Sequence, residues 1–426
     1  MAPPAEPESA PAAPPALSPR LAWALALTAT FTMSVSYVDR QTLAALAPTV
    51  TKNLGIDDTH YGLLLSAFSI AYLVGSPLAG RLIDAVGARR GMLGAVLLWS
   101  AVAALHALVP SFAVLFALRI ALGLAESPSF PGAAQTVHRA LPPRERARGL
   151  GILFTGSSFG AMVAPKLAAY FNEKWGWREA FLGSAMVGLL WVPVWLALAW
   201  RGPGRRALDH KPPSSGPPFK ATALLTDRGV WRAVVMILAC APLLGLHFSW
   251  LSKLLDARFH VTQSEIGNLL VLPPLLFDGG AVLFGSLATR ALARHDDDRP
   301  PTLLFIVSAL VAMLGGLLPL CPGPWSTMVL AGISMAGGGG LYSLVTADLL
   351  RRVPPSAVST AGGLLAAAQS LALILANPGI GKWVQVSGGY TQVLAALAVL
   401  HIPGAAVWLL WKPPPVVRTE IASATT

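Results

Sequence analysis

An acid and a base stand side by side in Tyr37-Val38-Asp39-Arg40-Gln41, where a run without any charge, Leu21 to Val38, comes to its end. A second acid and base, Arg119 and Glu126, lie seven residues apart in another apolar stretch. Seven residues are about two helical turns, so Arg119 and Glu126 share one stripe about 10 Å apart along the axis. Gly123 between them leaves that stripe open to a neighbour or to water. Asp39 and Arg40 point about 100° apart on a helix and must find partners on other helices. Guanidinium forks grip a carboxylate in bidentate fashion and keep their charge in a low dielectric, so two of them at one depth suit an organic anion. Carboxylates beside them can take up and release protons, which links anion and proton binding. The plainer alternative is that the four groups only neutralise one another.

These residues must be held by membrane-spanning helices. The chain has 426 residues, of which 54% are hydrophobic and 12% charged, against about 25% charged in a soluble domain. Apolar runs of spanning length recur twelve times between about 21 and 411. A basic, Pro- and Gly-rich stretch at 201–230 divides them six and six, giving the order 1–20 tail, 21–200 first bundle, 201–230 linker, 231–412 second bundle, 413–426 tail. Arg and Lys concentrate in alternate connections: Arg81, Arg89 and Arg90; Arg139 to Arg148; Arg201 to Arg232; Arg290 to Arg299; Arg351 and Arg352. By the positive-inside rule those connections and both termini are cytoplasmic. The net charge of +11 is then loop charge, with no call for nucleic acid. Counting depth from the opposite ends places Arg40 about 15 Å and Arg119 about 12 Å down, at one level, with Glu126 deeper.

The stretch Gly80-Arg81-Leu82-Ile83-Asp84-Ala85-Val86-Gly87-Ala88-Arg89-Arg90 follows the second run. Its glycines allow close helix packing, and Asp84 is placed to cap a helix or pair with a base. This stretch resembles the GxLxDxxGxRR loop signature of the major facilitator superfamily. Tyr37-Val38-Asp39-Arg40, Tyr72 with Gly75 and Pro77, Arg119 to Glu126 with Phe130-Pro131, and Trp175 to Phe181 look like its anion:cation symporter branch. That branch includes the bacterial galactonate, hexuronate, glucarate and phthalate permeases, sialin and the vesicular glutamate transporters. The resemblance implies an all-α membrane protein, twelve transmembrane helices in two pseudo-symmetric six-helix bundles. It implies a secondary active transporter of a small organic anion, a sugar acid or other carboxylate, working by alternating access and proton-coupled symport. Arg40, Arg119, Tyr37 and Tyr72 would bind substrate, Asp39 and Glu126 would carry protons, and Gly80, Asp84, Gly87, Arg89 and Arg90 form the conformational motif. In span eleven the chain departs from the branch: Gln369 or Ser370 stands where an asparagine often contributes to the site.

In this reading a substrate carboxylate takes over Arg40, and Asp39, losing its partner, accepts a proton. Asp278 is the candidate in the second bundle for an extra proton or gating site, with His247 near it in depth. Lys166 and Lys253, near the outer ends, either snorkel or bind. Asn377-Pro378 marks a helix break. Trp23, Trp175, Trp177, Trp325 and Trp411 read as interfacial anchors. Cys240 and Cys321 are packing residues, and the Asp296-Asp297-Asp298 run is a solvated loop without metal-ligand spacing. No phosphate loop or nucleophile elbow argues for an enzyme. The partners are the anion, protons and the bilayer of a bacterial inner membrane; no cofactor beyond the proton gradient and no oligomer is required. The alternatives are a proton-coupled exporter or antiporter of an amphipathic compound, and a non-transporting membrane sensor.

Overall fold

A computed structural model describes residues 17–209, 221–294, 301–354, 357–412 and 414–415. The Asp296–Asp298 run, most of both tails and the middle of the linker lie outside the described residues. Twelve helical segments are long and apolar enough to span a bilayer. The first six are Pro19–Ala45, Asp58–Val86, Ala88–Leu108, Phe112–Ala140, Pro143–Lys174 and Trp177–Ala199. Spans seven to twelve are Arg228–Ser249, Gln263–Leu292, Thr302–Leu320, Pro324–Arg352, Thr360–Ser387 and Thr391–Leu410. Local chemistry explains their starts: Asp57 caps span two at the His60 amide, Asp227 caps span seven at Gly229 and Val230, and a Thr262–Glu265 capping box opens span eight. Large apolar residues such as Leu97, Leu98, Leu189, Leu190, Val282 and Leu310 remain exposed on the outside of the bundle. Such a surface suits lipid rather than water. The chain is a multi-pass membrane protein.

Span four is not continuous. Its first helix ends at Glu126 and a second starts at Ser129, because Pro128 and Pro131 bring no N–H and the residue before a proline resists the α conformation. Span eleven shows the opposite outcome. The expected break at Asn377-Pro378 is absent: one helix runs from Val358 to Ser387 through Pro378. The carbonyl that Pro378 cannot serve, Ile374 O, accepts instead from the Ser66 hydroxyl of span two at 2.8 Å, so the helix continues at no loss of hydrogen bonding.

The two halves meet mainly at the end away from the linker. The largest buried apolar cluster joins Leu46, Tyr61 and Leu64 of the first half to Leu243, Trp250 and Ile380 of the second, whereas the other three clusters each stay within one half. Hydrogen bonds between the halves follow the same division. Ser252 donates to Ala44 O, Gln263 to Ala45 O at 2.9 Å, Tyr61 to Ser249 O at 2.7 Å and Thr59 to Gln385 at 2.7 Å. Lys253 forms an ion pair with Asp58 at 2.9 Å and donates to Thr51 at 3.1 Å, so it neither snorkels nor lies free as a ligand. The contacts nearest mid-membrane are Ser66 to Ile374 and Ser158 to Asp278. Among the described residues no hydrogen bond joins the halves at the linker end. Among the described residues, the polar contacts between the halves thus concentrate at the end away from the linker.

Candidate functional site

Three spans of the first half build the central site. Gly123 on span four has no room for a side chain: a Cβ there would stand 2.5 Å from the Phe68 carbonyl. Spans two and four therefore touch, which sets Phe68 and Tyr72 beside Arg119 and Arg40. Gly160 of span five does the same for span one, where a Cβ would meet Ser34 O at 2.3 Å.

Arg40 donates from Nε to Glu126 Oε2 at 2.6 Å, and Ser36, one turn earlier on span one, donates to the same oxygen at 2.7 Å. The Arg40 guanidinium also lies over the rings of Tyr37, Phe68 and Tyr72, at 5.0, 5.0 and 4.4 Å. Arg119 is 4.7 Å from the Phe68 ring, so one phenyl ring contacts both guanidiniums. Glu126 is fully buried, Arg119 is 3% exposed and Asp39 2% exposed. Neither oxygen of Asp39 has a hydrogen-bond partner, nor do Glu126 Oε1, one Arg40 nitrogen, Arg119 Nε and one terminal nitrogen of Arg119. Arg119 has no carboxylate within ion-pair distance among the described residues.

One expectation changes, because the Arg40 side chain reaches the Glu126 carboxylate directly. Asp39 is not the partner that Arg40 would release: the neighbouring positions diverge around the helix, and Glu126 holds Arg40. Ser36 and Phe68 were missed; both carry a signal in spacing, Ser36 four residues before Arg40 and Phe68 four before Tyr72.

The second-half candidates stand apart from this cluster. Gln369 accepts from Tyr342 of span ten at 3.4 Å, and Ser370 donates to Ala366 O of its own helix at 3.0 Å. Asp278 accepts from Ser158 of span five at 2.7 Å. His247 is buried against Leu243 O of its own helix, and Lys166 is exposed. Trp177 is buried, not an interfacial anchor.

At the linker end, Asp84 accepts from Gln135 at 2.8 Å and Gln135 in turn accepts from the Ala88 amide at 3.0 Å. An amide therefore takes the place expected for a base or a helix cap. Gly80 faces open space, so close packing is not its role; Gly87 holds φ +83° at the turn between spans two and three. Arg89 is buried, forms a bidentate pair with Asp209 at 2.8 and 2.9 Å, and lies 4.4 Å from the Trp200 ring. Arg90 is exposed. The start of the linker, Gly202–Asp209, is a short helix docked here, and Arg139 donates to its Leu208 carbonyl. The Arg89 hydrogen bonds hold the Asp209 carboxyl below its ordinary range.

A model of the Major Facilitator Superfamily matches residues 29–376. The hexuronate transporter of Escherichia coli strain K12 is 26% identical over 434 aligned positions, covering 95% of this chain and 96% of that protein. The galacturonate transporter of Dickeya chrysanthemi is 25% identical over 71% of this chain and 90% of its own. Among solved structures, the inward-facing, unoccupied form of a bacterial homologue of the human lysosomal transporter Spinster superposes with a TM-score of 0.73 at 18% identity, covering 93% of this chain and all of that one. At that identity it speaks for the fold alone.

Proposed function

Because the chain belongs to the Major Facilitator Superfamily, we propose that it is a proton-coupled symporter of a small organic anion, a sugar acid or related carboxylate, working by alternating access. The observation that carries this reading is Arg119, a guanidinium 3% exposed with two nitrogens unpartnered and no carboxylate within ion-pair distance among the described residues. A buried charge without a counter-ion costs several kcal/mol, and an anion's carboxylate is the partner that removes that cost. Full-length relatives named for hexuronate and galacturonate support the same substrate class.

Coupling in this reading runs through Glu126. An anion docked on Arg119 competes with Glu126 for Arg40, whose second nitrogen is also unpartnered. Once Arg40 turns to the anion, Glu126 keeps only Ser36 and its bare charge is unsupported, so a proton on Glu126 stabilises the loaded site. Asp39, buried without an ion-pair partner among the described residues, is accommodated best as the neutral acid and serves as the second proton site. Anion and proton then favour each other's binding. With the linker end cytoplasmic by the positive-inside rule, the concentration of contacts between the halves at the outer end supports an inward-facing arrangement in this reading. A monoanion entering with two protons moves one net positive charge inward, favoured by about 2.3 kcal/mol per 100 mV.

The test is transport in proteoliposomes. Asp39→Asn and Glu126→Gln should each lose accumulation driven by a proton gradient while keeping exchange of anion for anion. Variants that still concentrate substrate would show the proton assignment to be wrong.

A further inference from the structure

Asp278 is a carboxylate at mid-membrane that the mechanism above leaves unused. It is half-buried, and among the described residues no cation stands within ion-pair distance of it. Its Oδ1 accepts from the Ser158 hydroxyl across the junction between the halves, while Oδ2 is absent from the buried unpartnered atoms and so is reachable from the open space. A carboxylate at this depth does not face lipid; the accessible space is the one between the halves. Local packing aims it there. Phe277, one position earlier, stacks edge-on against Phe248 of span seven. Gly280, two later, lies against the span ten backbone, where a Cβ would stand 2.0 Å from Ala336 O. Spans seven and ten thus take the neighbouring faces of span eight, and Asp278 is left toward span five. On span five, Gly160, two positions after Ser158, abuts span one at Ser34 and Tyr37. Asp278 therefore stands at the level of the Tyr37 and Arg40 end of the site, on the opposite half.

A carboxylate is an acceptor only. Its natural partners in a site that already fixes an anion by guanidinium are hydroxyl donors, and Ser158 is one. We propose that Asp278 is the second half's specificity-determining residue, accepting hydrogen bonds from the hydroxyls of a polyhydroxylated carboxylate whose acid group is held on Arg119, with Ser158 occupying its place between turnovers. The assignment rests on the organic-anion reading above and replaces the role of Asp278 as a proton site. Contact with both halves also gives the substrate a means of drawing them together.

The experiment measures equilibrium binding to purified protein of D-galacturonate, D-gluconate and hexanoate, acids of equal carbon number with and without hydroxyls. Wild type should prefer the hydroxylated acids. Asp278→Ala should weaken those at least about tenfold, the loss of a hydrogen bond to a charged group, and leave hexanoate unchanged. Asp278→Asn keeps an acceptor oxygen but not the charge, so it should lose about half the binding free energy lost by Asp278→Ala for the hydroxylated acids, and its uptake at saturating substrate should still be driven by the proton gradient. Ser158→Ala, which removes the competing donor, should leave affinity for the hydroxylated acids equal or higher. Equal loss for all three acids in Asp278→Ala, loss in Ser158→Ala matching it, or loss of gradient-driven uptake at saturating substrate in Asp278→Asn overturns the proposal while leaving the anion reading in place. Wild-type protein that binds none of the three, nor any other carboxylate, overturns the anion reading itself and this proposal with it.

Discussion

Replacing Glu126 by glutamine should tighten anion binding, although it removes a buried charged residue from the centre of the site. In the wild type the anion's claim on Arg40 must break the Arg40 Nε to Glu126 Oε2 bond of 2.6 Å, in a pair whose side chains are 16% and 0% exposed. A hydrogen bond between charged groups is worth about 1.5–3 kcal/mol net. Glutamine has the same shape and can still accept from Ser36, but its hold on Arg40 is that of a neutral acceptor, roughly half as strong. Between half and all of the competition disappears, which corresponds to about 4-fold to 150-fold tighter binding. Titration calorimetry on purified protein, with Arg119→Ala beside it as the variant that should lose binding, reads this directly. Unfolding measurements separate the effect from damage: Glu126→Ala leaves Arg40 uncompensated and should destabilise the free protein by about 3–5 kcal/mol, whereas Glu126→Gln should destabilise it less, and added anion should restore stability in both. A folded Glu126→Gln protein that binds the anion no better than wild type would refute the competition, and with it the route by which anion docking sets Glu126 free.

Two further predictions concern the end away from the linker. Lys253→Met should loosen it, because the ion pair with Asp58, the bond to Thr51 and the Tyr61 ring 5.3 Å away are lost together; at 13% and 25% side-chain exposure the pair is worth about 1 kcal/mol. Spin labels at Thr59 and Gln385, whose side chains now touch, should then report a longer separation, partly reversed by the exchange Lys253→Asp with Asp58→Lys. Ser66→Ala should destabilise by about 1 kcal/mol, since Ile374 O loses the Ser66 hydroxyl, and Pro378→Ala in the same chain should return most of it by restoring the helix's own N–H. If the double variant is as unstable as the single one in a denaturation curve, the account of the unbroken span eleven is wrong.

Much of the architecture is legible because the bilayer leaves few options. A run such as Leu21 to Val38 can be satisfied in lipid only as a helix, and an acid and base at its end must have partners on other helices. Partner identity is less legible. It depends on side-chain reach and on the distance between helix axes, which here follow from small residues: Gly123 admits span two, Phe68 comes up against both arginines, and Arg40 reaches Glu126. Asp39 and Arg40 being adjacent invited a pairing that helix geometry itself argues against. Gly80 and Pro378 mislead for a related reason. A glycine implies close approach only where another helix is present, and a proline breaks a helix only where no other group serves the abandoned carbonyl; Ser66 is more than 300 residues away in sequence.

The second half was the hardest to read, and its geometry suggests why. Its fully buried charges, Arg232, Asp348 and Arg352, form a network at the linker end, with bonds of 2.6 Å from Arg232 to Asp348 and 2.8 and 2.9 Å from Arg352 to Asp348. Every ionised group there has a partner on the protein, so nothing is left over for a ligand. The first half is the reverse: neither Asp39 nor Arg119 has an ion-pair partner among the described residues, and Arg40 keeps an unpartnered nitrogen. Buried charged groups left unpaired in one half and paired in the other divide the work. The first half supplies the energy of anion and proton binding, and the second can contribute only acceptors and donors of lower charge cost, such as Asp278, Gln369 and Tyr342. Selectivity among acids of equal charge should therefore change with substitutions in spans eight, ten and eleven, and the requirement for a carboxylate with substitutions in spans one and four.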